Sequence, residues 1–147
     1  MPAPNMSGSN KLVLIVDDEF MIAELLSIHV ENMGLKVCGT AATADRAVEL
    51  AKKHRPSVVL MDVRLRGVKD GVDAALAIHE SVGSKVIFIT GSSEAATIKR
   101  IQMDHPSAIL HKPLFGSQLQ SAINDALRSL TADADRQRGA DPPSLLS

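Results

Sequence analysis

Two hydrophobic periods alternate along the chain. Leu12-Val13-Leu14-Ile15-Val16 is an unbroken apolar run that stops at Asp17-Asp18, and Val58-Val59-Leu60-Met61 stops at Asp62. Val86-Ile87-Phe88-Ile89 stops at Thr90-Gly91, Ala108-Ile109-Leu110 stops at His111-Lys112-Pro113, and residues 35–39 form a weaker fifth run. Short β-branched runs without polar alternation predict strands covered on both faces, as in a parallel sheet. Between the runs lie stripes of helical spacing. Ile22, Leu25, Leu26, His29, Val30 and Met33 share one face, and Gly34 is placed to terminate that helix. Ala44, Ala47, Val48 and Ala51 make a second stripe ahead of Pro56; Val72, Ala75, Leu76 and His79 make a third, opened by Asp70-Gly71. Residues 93–104 are less regular, since Ala96, Ile98 and Ile101 form no single stripe, whereas Leu119, Ile123, Ala126, Leu127 and Leu130 form a clean one after Gly116-Ser117. The order is (βα) five times, which predicts an α/β domain with a doubly wound, five-stranded parallel sheet and right-handed crossovers.

The ends lack this pattern. Residues 1–10 are mostly Pro, Gly, Ser and Asn and read as a flexible leader. After Leu130 the apolar stripe stops and Pro142-Pro143 opposes helix, so residues 131–147 read as a disordered tail behind a domain at 11–130.

Composition narrows the function classes. The 147 residues carry 16 basic and 17 acidic side chains, a formal charge of −1, which removes the basic surface that drives non-specific nucleic-acid binding. One cysteine, Cys38, excludes an internal disulfide and reads as a small buried hydrophobe. No run approaches the roughly 20 apolar residues of a membrane-spanning helix, and no signal peptide is visible, so a cytoplasmic location without membrane contact is expected.

In open parallel sheets, chemistry gathers at the carboxyl ends of the strands. Four strands deliver polar groups there: Asp17-Asp18, Asp62, Thr90 and Lys112. Three carboxylates at one edge repel and need counter-charge, which Lys112 and a divalent cation supply; Mg2+ suits few carboxylates plus waters and a phosphate oxygen. A carboxylate is also a nucleophile towards phosphorus, and phosphoryl transfer asks mainly for positioning and charge neutralisation. A threonine hydroxyl at the next strand end completes a set suited to self-phosphorylation on aspartate. A bland alternative exists for each residue alone: Asp17-Asp18 as a helix cap, Thr90-Gly91 as a strand-end turn. The absence of a GxxxxGK[ST] loop opposes a nucleotide site, and Met61-Asp62-Val63-Arg64 lacks the Asp-x-Asp pair of an aspartyl-phosphate hydrolase. The histidines at 29, 54, 79, 105 and 111 show no metal-ligand spacing; His29 and His79 read as partly buried structural residues.

With "VLIVDDEF", "VVLMDVRL", "IFITGSS" and "ILHKPL" in register, residues 11–130 resemble the receiver domains of two-component response regulators, a flavodoxin-like fold. The resemblance implies Asp62 as phosphoacceptor, Thr90 as switch hydroxyl and Lys112 as partner of the phosphoryl oxygens. It implies Mg2+ held by Asp18 and Asp62, by Asp17 through water, and by the backbone carbonyl of Arg64, with a cis peptide before Pro113. The implied donor is a histidine kinase or phosphotransfer protein, and the domain is a signalling element rather than a conventional enzyme. Ile109 stands where the family often has Tyr or Phe, so aromatic rotation is excluded as the readout. The short remainder after Leu130 suggests a stand-alone receiver, a monomer or weak homodimer, signalling through a protein partner or serving as a phosphate sink. A degenerate receiver, working as a phosphate-independent interaction module, is the alternative.

Overall fold

The computed structural model describes residues 11–91, 95–103, 106–112 and 116–146, with the backbone alone for 95–97 and 133–146. Strands β1 (Leu12–Val16), β2 (Lys36–Ala41), β3 (Val58–Asp62), β4 (Lys85–Thr90) and β5 (Ala108–His111) alternate with five helices. These are α1 (Phe20–Asn32), α2 (Ala44–His54), α3 (Gly71–Ser81), α4 (Ala95–Met103) and α5 (Gly116–Leu146). The strands form one sheet in the order β2-β1-β3-β4-β5, every pairing parallel.

The unbroken apolar runs follow from cover on both faces. Leu14, Val16, Val59, Met61, Val86 and Phe88 point to the side packed by α2, α3 and α4; Val13, Ile15, Val58, Leu60, Ile87 and Ile89 point to α1 and α5. Neighbouring side chains of a strand thus enter different cores, so neither parity can be polar. Gly34, at φ +83°, closes α1 in the left-handed conformation that favours glycine, as its position predicts. Asp70 opens α3 with a capping box: its carboxylate accepts the Val72 and Asp73 N–H groups, and the Asp73 carboxylate accepts the Asp70 N–H.

Several sequence expectations are corrected. Leu25 and Leu76 are exposed, because the buried faces of α1 and α3 are narrower than their apolar stripes and are filled by Ala23, Leu26 and Val30, and by Val72, Ala74, Ala75 and Ile78. His79 is exposed rather than partly buried, while His29 is half-buried beside Gly116. Cys38 is half-buried on the edge strand β2, and burial raises its thiol pKa. The helix-free tail predicted after Leu130 is also corrected: α5 runs to Leu146. Loss of the apolar stripe marks where that helix leaves the core, not where it ends. Ala132, Ala134, Arg136, Gln137 and Arg138 favour helix as far as Gly139; the continuation through Pro142 and Pro143 has no explanation in local propensity. The expected leader at residues 1–10 and the peptide before Pro113 lie outside the described residues. None of the described helices is long and apolar enough to cross a membrane.

Candidate functional site

The order β2-β1-β3 places the chain's reversal of winding between β1 and β3, and their carboxyl ends hold the acidic residues. Pairing of Val16 with Met61 sets Asp17 and Asp62, each one residue further on, beside one another at the sheet edge. The backbone fixes both flanks. The Asp17 N–H donates to Ala41 O at 2.9 Å, and the Lys112 N–H donates to Thr90 O at 2.9 Å, which carries β5 alongside the end of β4.

Asp17, Asp62 and Thr90 are 4%, 6% and 1% exposed, so two carboxylates and a hydroxyl are buried at the ends of apolar strands. Asp17, Asp18 and Asp62 each offer an oxygen within 4.8 Å of the others. Lys112 Nζ stands 3.7 Å from Asp17 Oδ2 and 3.7 Å from Asp62 Oδ1, an ion-pair distance to both but too long for a hydrogen bond to either. Asp17 Oδ1 accepts the Glu19 N–H at 2.9 Å, whereas the buried Oδ2 has no hydrogen-bond partner among the described residues. Above these groups opens a cleft of about 420 Å³ lined by Asp18, Glu19, Asp62, Arg64, Thr90, Gly91 and Lys112.

Burial pushes the Asp62 carboxyl up from 3.8 to about 6; the charge of Asp17 and, less, that of Asp18 add to the rise. Lys112 and a hydrogen bond from the Arg64 backbone oppose it. One lysine therefore does not balance three acids. A divalent cation fits what is present: hard oxygen donors converging from two strand ends, with one buried carboxylate oxygen left without a donor.

All the residues expected from the sequence meet here. Asp17, Asp18, Asp62, Thr90 and Lys112 come together from four strand ends, and Arg64 lines the same cleft. Two contributors escape the sequence analysis. Glu19 lines the mouth but reads there only as the first residue after an acidic pair. Gly71 reads as a helix opener, yet its N–H donates to Val63 O at 2.6 Å, and a Cβ at this position would overlap the carbonyl oxygen of Asp62. The start of α3 thus lies directly on the backbone that holds Asp62.

The family model for the response regulator receiver domain matches residues 13–124. A transcriptional regulatory protein, PdtaR, of Mycobacterium tuberculosis is 34% identical over 123 residues, covering 82% of this chain and 60% of that protein. The phyllosphere-induced regulator PhyR of Methylorubrum extorquens is 32% identical over 78% of this chain and 43% of its own length. The chain thus spans between two fifths and three fifths of the length of these two relatives. Among solved structures, the signal receiver domain of a modulated diguanylate cyclase from Desulfovibrio desulfuricans G20 superposes with a TM-score of 0.79 at 32% identity, over 83% of this chain and 97% of that one. The N-terminal domain of a response regulator/sensory box/GGDEF protein from Carboxydothermus hydrogenoformans gives 0.76 at 30% identity, over 84% and 99%.

Proposed function

The chain belongs to the response regulator receiver domain family of two-component signalling, and from that premise we propose that Asp62 is an Mg2+-dependent phosphoacceptor. The observation that carries the proposal is the convergence of three carboxylates and Lys112 at one mouth, with a buried Asp17 oxygen that lacks a hydrogen-bond donor among the described residues. Asp17, Asp18, Asp62 and the Arg64 carbonyl would hold the ion. Bound there, Mg2+ would neutralise the acidic cluster and the charge on a phosphoryl group.

Within this scheme an Asp62 carboxylate oxygen attacks the donor phosphorus. The new O–P bond forms as the bond from phosphorus to the donor's imidazole nitrogen breaks, and the leaving imidazole takes up a proton from water. Lys112, already 3.7 Å from Asp62 Oδ1, is placed to pair with a phosphoryl oxygen. Thr90, at the end of the adjacent strand, supplies a hydroxyl to a second. A buried acceptor requires a donor that seats against the cleft. Phe20, Met21, Leu25 and Ile28 are exposed along α1, which begins two residues after Asp18. Such an apolar face suits a protein donor, a histidine kinase or phosphotransfer protein, better than free acyl phosphate alone. Whether the domain then signals through a protein partner or drains phosphoryl groups from a shared donor is decided by that partner.

Titration with Mg2+ followed by calorimetry tests the site. One ion is expected to bind the wild-type chain, and Asp18→Asn is expected to weaken it by about tenfold or more, since a formal charge and a hard donor are lost together. Binding of equal strength in the variant would remove the metal assignment. A second expectation concerns lifetime. Arg64 lines the cleft over Asp62, so Arg64→Ala is expected to lose the phosphoryl group roughly threefold faster as water gains access; an unchanged dephosphorylation rate would show that Arg64 does not shield it.

A further inference from the structure

Helix α4 begins five residues after Thr90, and few of its described side chains hold it to the rest of the domain. Among its described residues Ile101 is buried and Ile98 packs at the margin of the core, while Lys99, Gln102 and Met103 are exposed. A polar tie from the same described residues reaches 30 residues back along the chain. Arg100 Nη1 donates to Asp70 Oδ2 at 2.8 Å, and Nη2 lies 3.4 Å from Asp70 Oδ1 and 3.4 Å from Asp73 Oδ1. Beside this clasp α3 and α4 part, leaving a cleft of about 310 Å³ lined by Val72, Asp73, Leu76, Arg100 and Met103. Ion pairing, not close packing, therefore joins the two helices along this line.

The recipient of the clasp is not an ordinary surface acid. Asp70 caps α3, and the next residue, Gly71, rests on the Asp62 and Val63 backbone through its 2.6 Å bond to Val63 O. Burial alone would raise the Asp70 carboxyl, yet the hydrogen bonds and charge of Arg100 and the Asp73 amide hold it below the ordinary carboxylate range. The fork of Arg100 onto two carboxylates is geometrically specific, as a guanidinium allows and an ammonium does not. A continuous path thus runs from Asp62 through Gly71 and Asp70 to α4.

We propose that Arg100 is a positioning residue for the reaction at Asp62: its clasp on Asp70 and Asp73 holds α4 in the arrangement of the unphosphorylated protein, and that hold is released when Asp62 is phosphorylated. The proposal rests on Asp62 being the phosphoacceptor. Interactions made only in the unphosphorylated arrangement oppose the change, so removing them favours it by the same free energy. A partly exposed, bidentate clasp corresponds to a shift of about three- to tenfold.

The test uses the full chain as wild type, Arg100→Met, Asp70→Asn and the double variant. Asparagine retains the helix cap, so Asp70→Asn removes charge while leaving α3 started. Initial rates of phosphoryl incorporation from acetyl phosphate at fixed Mg2+ are read by intact mass. Each single variant is expected to react about three- to tenfold faster than wild type, and the double variant no faster than the singles, although all three melt at lower temperature. A purely structural salt bridge would lower the melting temperature and leave the rates unchanged or reduced, and that result would overturn the proposal. Rates that multiply in the double variant would also overturn it, by showing that the two residues act separately. If wild type and variants all form the adduct at equal rates while Asp62→Asn forms none, the clasp fails and the phosphoacceptor assignment stands. No adduct on any of the four proteins, with acetyl phosphate and with a phosphohistidine protein donor alike, would overturn both.

Discussion

Gly71→Ala is expected to destabilise the domain by about 3 kcal/mol, at the upper end of ordinary overpacking, and to lower the melting temperature by roughly 10 °C. A Cβ at this position would overlap the Asp62 carbonyl oxygen and stand 2.9 Å from both the Asp62 carbonyl carbon and Val63 Cα. All three are backbone atoms at the end of a fully buried central strand, so no flexible side chain can swing aside. Relief requires the start of α3 to lift from β3, which breaks the 2.6 Å bond from Gly71 to Val63 and displaces the carboxylate-bearing residue. The damage should therefore appear twice: in thermal unfolding, and in weaker Mg2+ binding by whatever fraction remains folded. Gly39→Ala is the control, because its Cβ would meet only the side chain of Leu50 at 3.4 Å. That variant is expected to stay within about 0.5 kcal/mol of wild type. If Gly71→Ala melts with the wild type, the close approach of α3 to Asp62 is not what positions the site.

Asp62→Asn is expected to act in the opposite direction and to stabilise the protein in the absence of divalent ions. The Asp62 carboxyl is raised from 3.8 to about 6, so the folded chain holds a proton there that the unfolded chain has released. Stability from this group is fully present below about pH 4, falls as pH rises, and has been lost once pH passes the folded value near 6. At about 1.4 kcal/mol per pH unit the loss reaches on the order of 3 kcal/mol above pH 6. Asparagine has nearly the same shape and no charge, so it avoids that loss. Melting curves in EDTA should show the variant ahead by about 5–10 °C at pH 7.5, with the gap closing towards pH 4. Addition of Mg2+ should raise the wild type and leave the variant less affected, because binding to the folded state alone stabilises it. A variant that melts lower than wild type at pH 7.5 in EDTA would mean that the acidic cluster is already balanced without a metal.

Sequence alone reaches the sheet and the site because both are written in short segments. A strand covered on two faces must be apolar at every position, so residues 12–16, 58–61 and 86–89 announce themselves, and the polar residue that ends each run falls at the edge where chemistry gathers. Helix faces are less legible. Leu25 and Leu76 obey the helical period and yet are exposed, since the period identifies an apolar side without saying how wide a face the sheet can cover. Helix α4 gives no tidy stripe because among its described residues only Ile98 and Ile101 reach the core, and the contact of Arg100 with Asp70, 30 residues away, has no local signature. Gly71 belongs with Arg100: its closeness to Asp62 depends on how the β3–α3 loop folds back, which composition does not record. Beyond Leu130 the apolar stripe and the helix end at different places, and only the first is visible as periodicity.

The central claim is that Asp62 accepts a phosphoryl group with the help of a divalent ion held by its acidic neighbours. Intact mass after incubation with acetyl phosphate, with Mg2+ and with EDTA, on wild type and Asp62→Asn, tests it most directly. A single adduct of one phosphoryl group, present only when Mg2+ and Asp62 are both there, is the predicted result. An adduct that survives in Asp62→Asn would assign the chemistry to another residue. The same blank spectrum in every condition, repeated with a phosphohistidine protein donor, would contradict the account and leave the domain as a phosphate-independent interaction module.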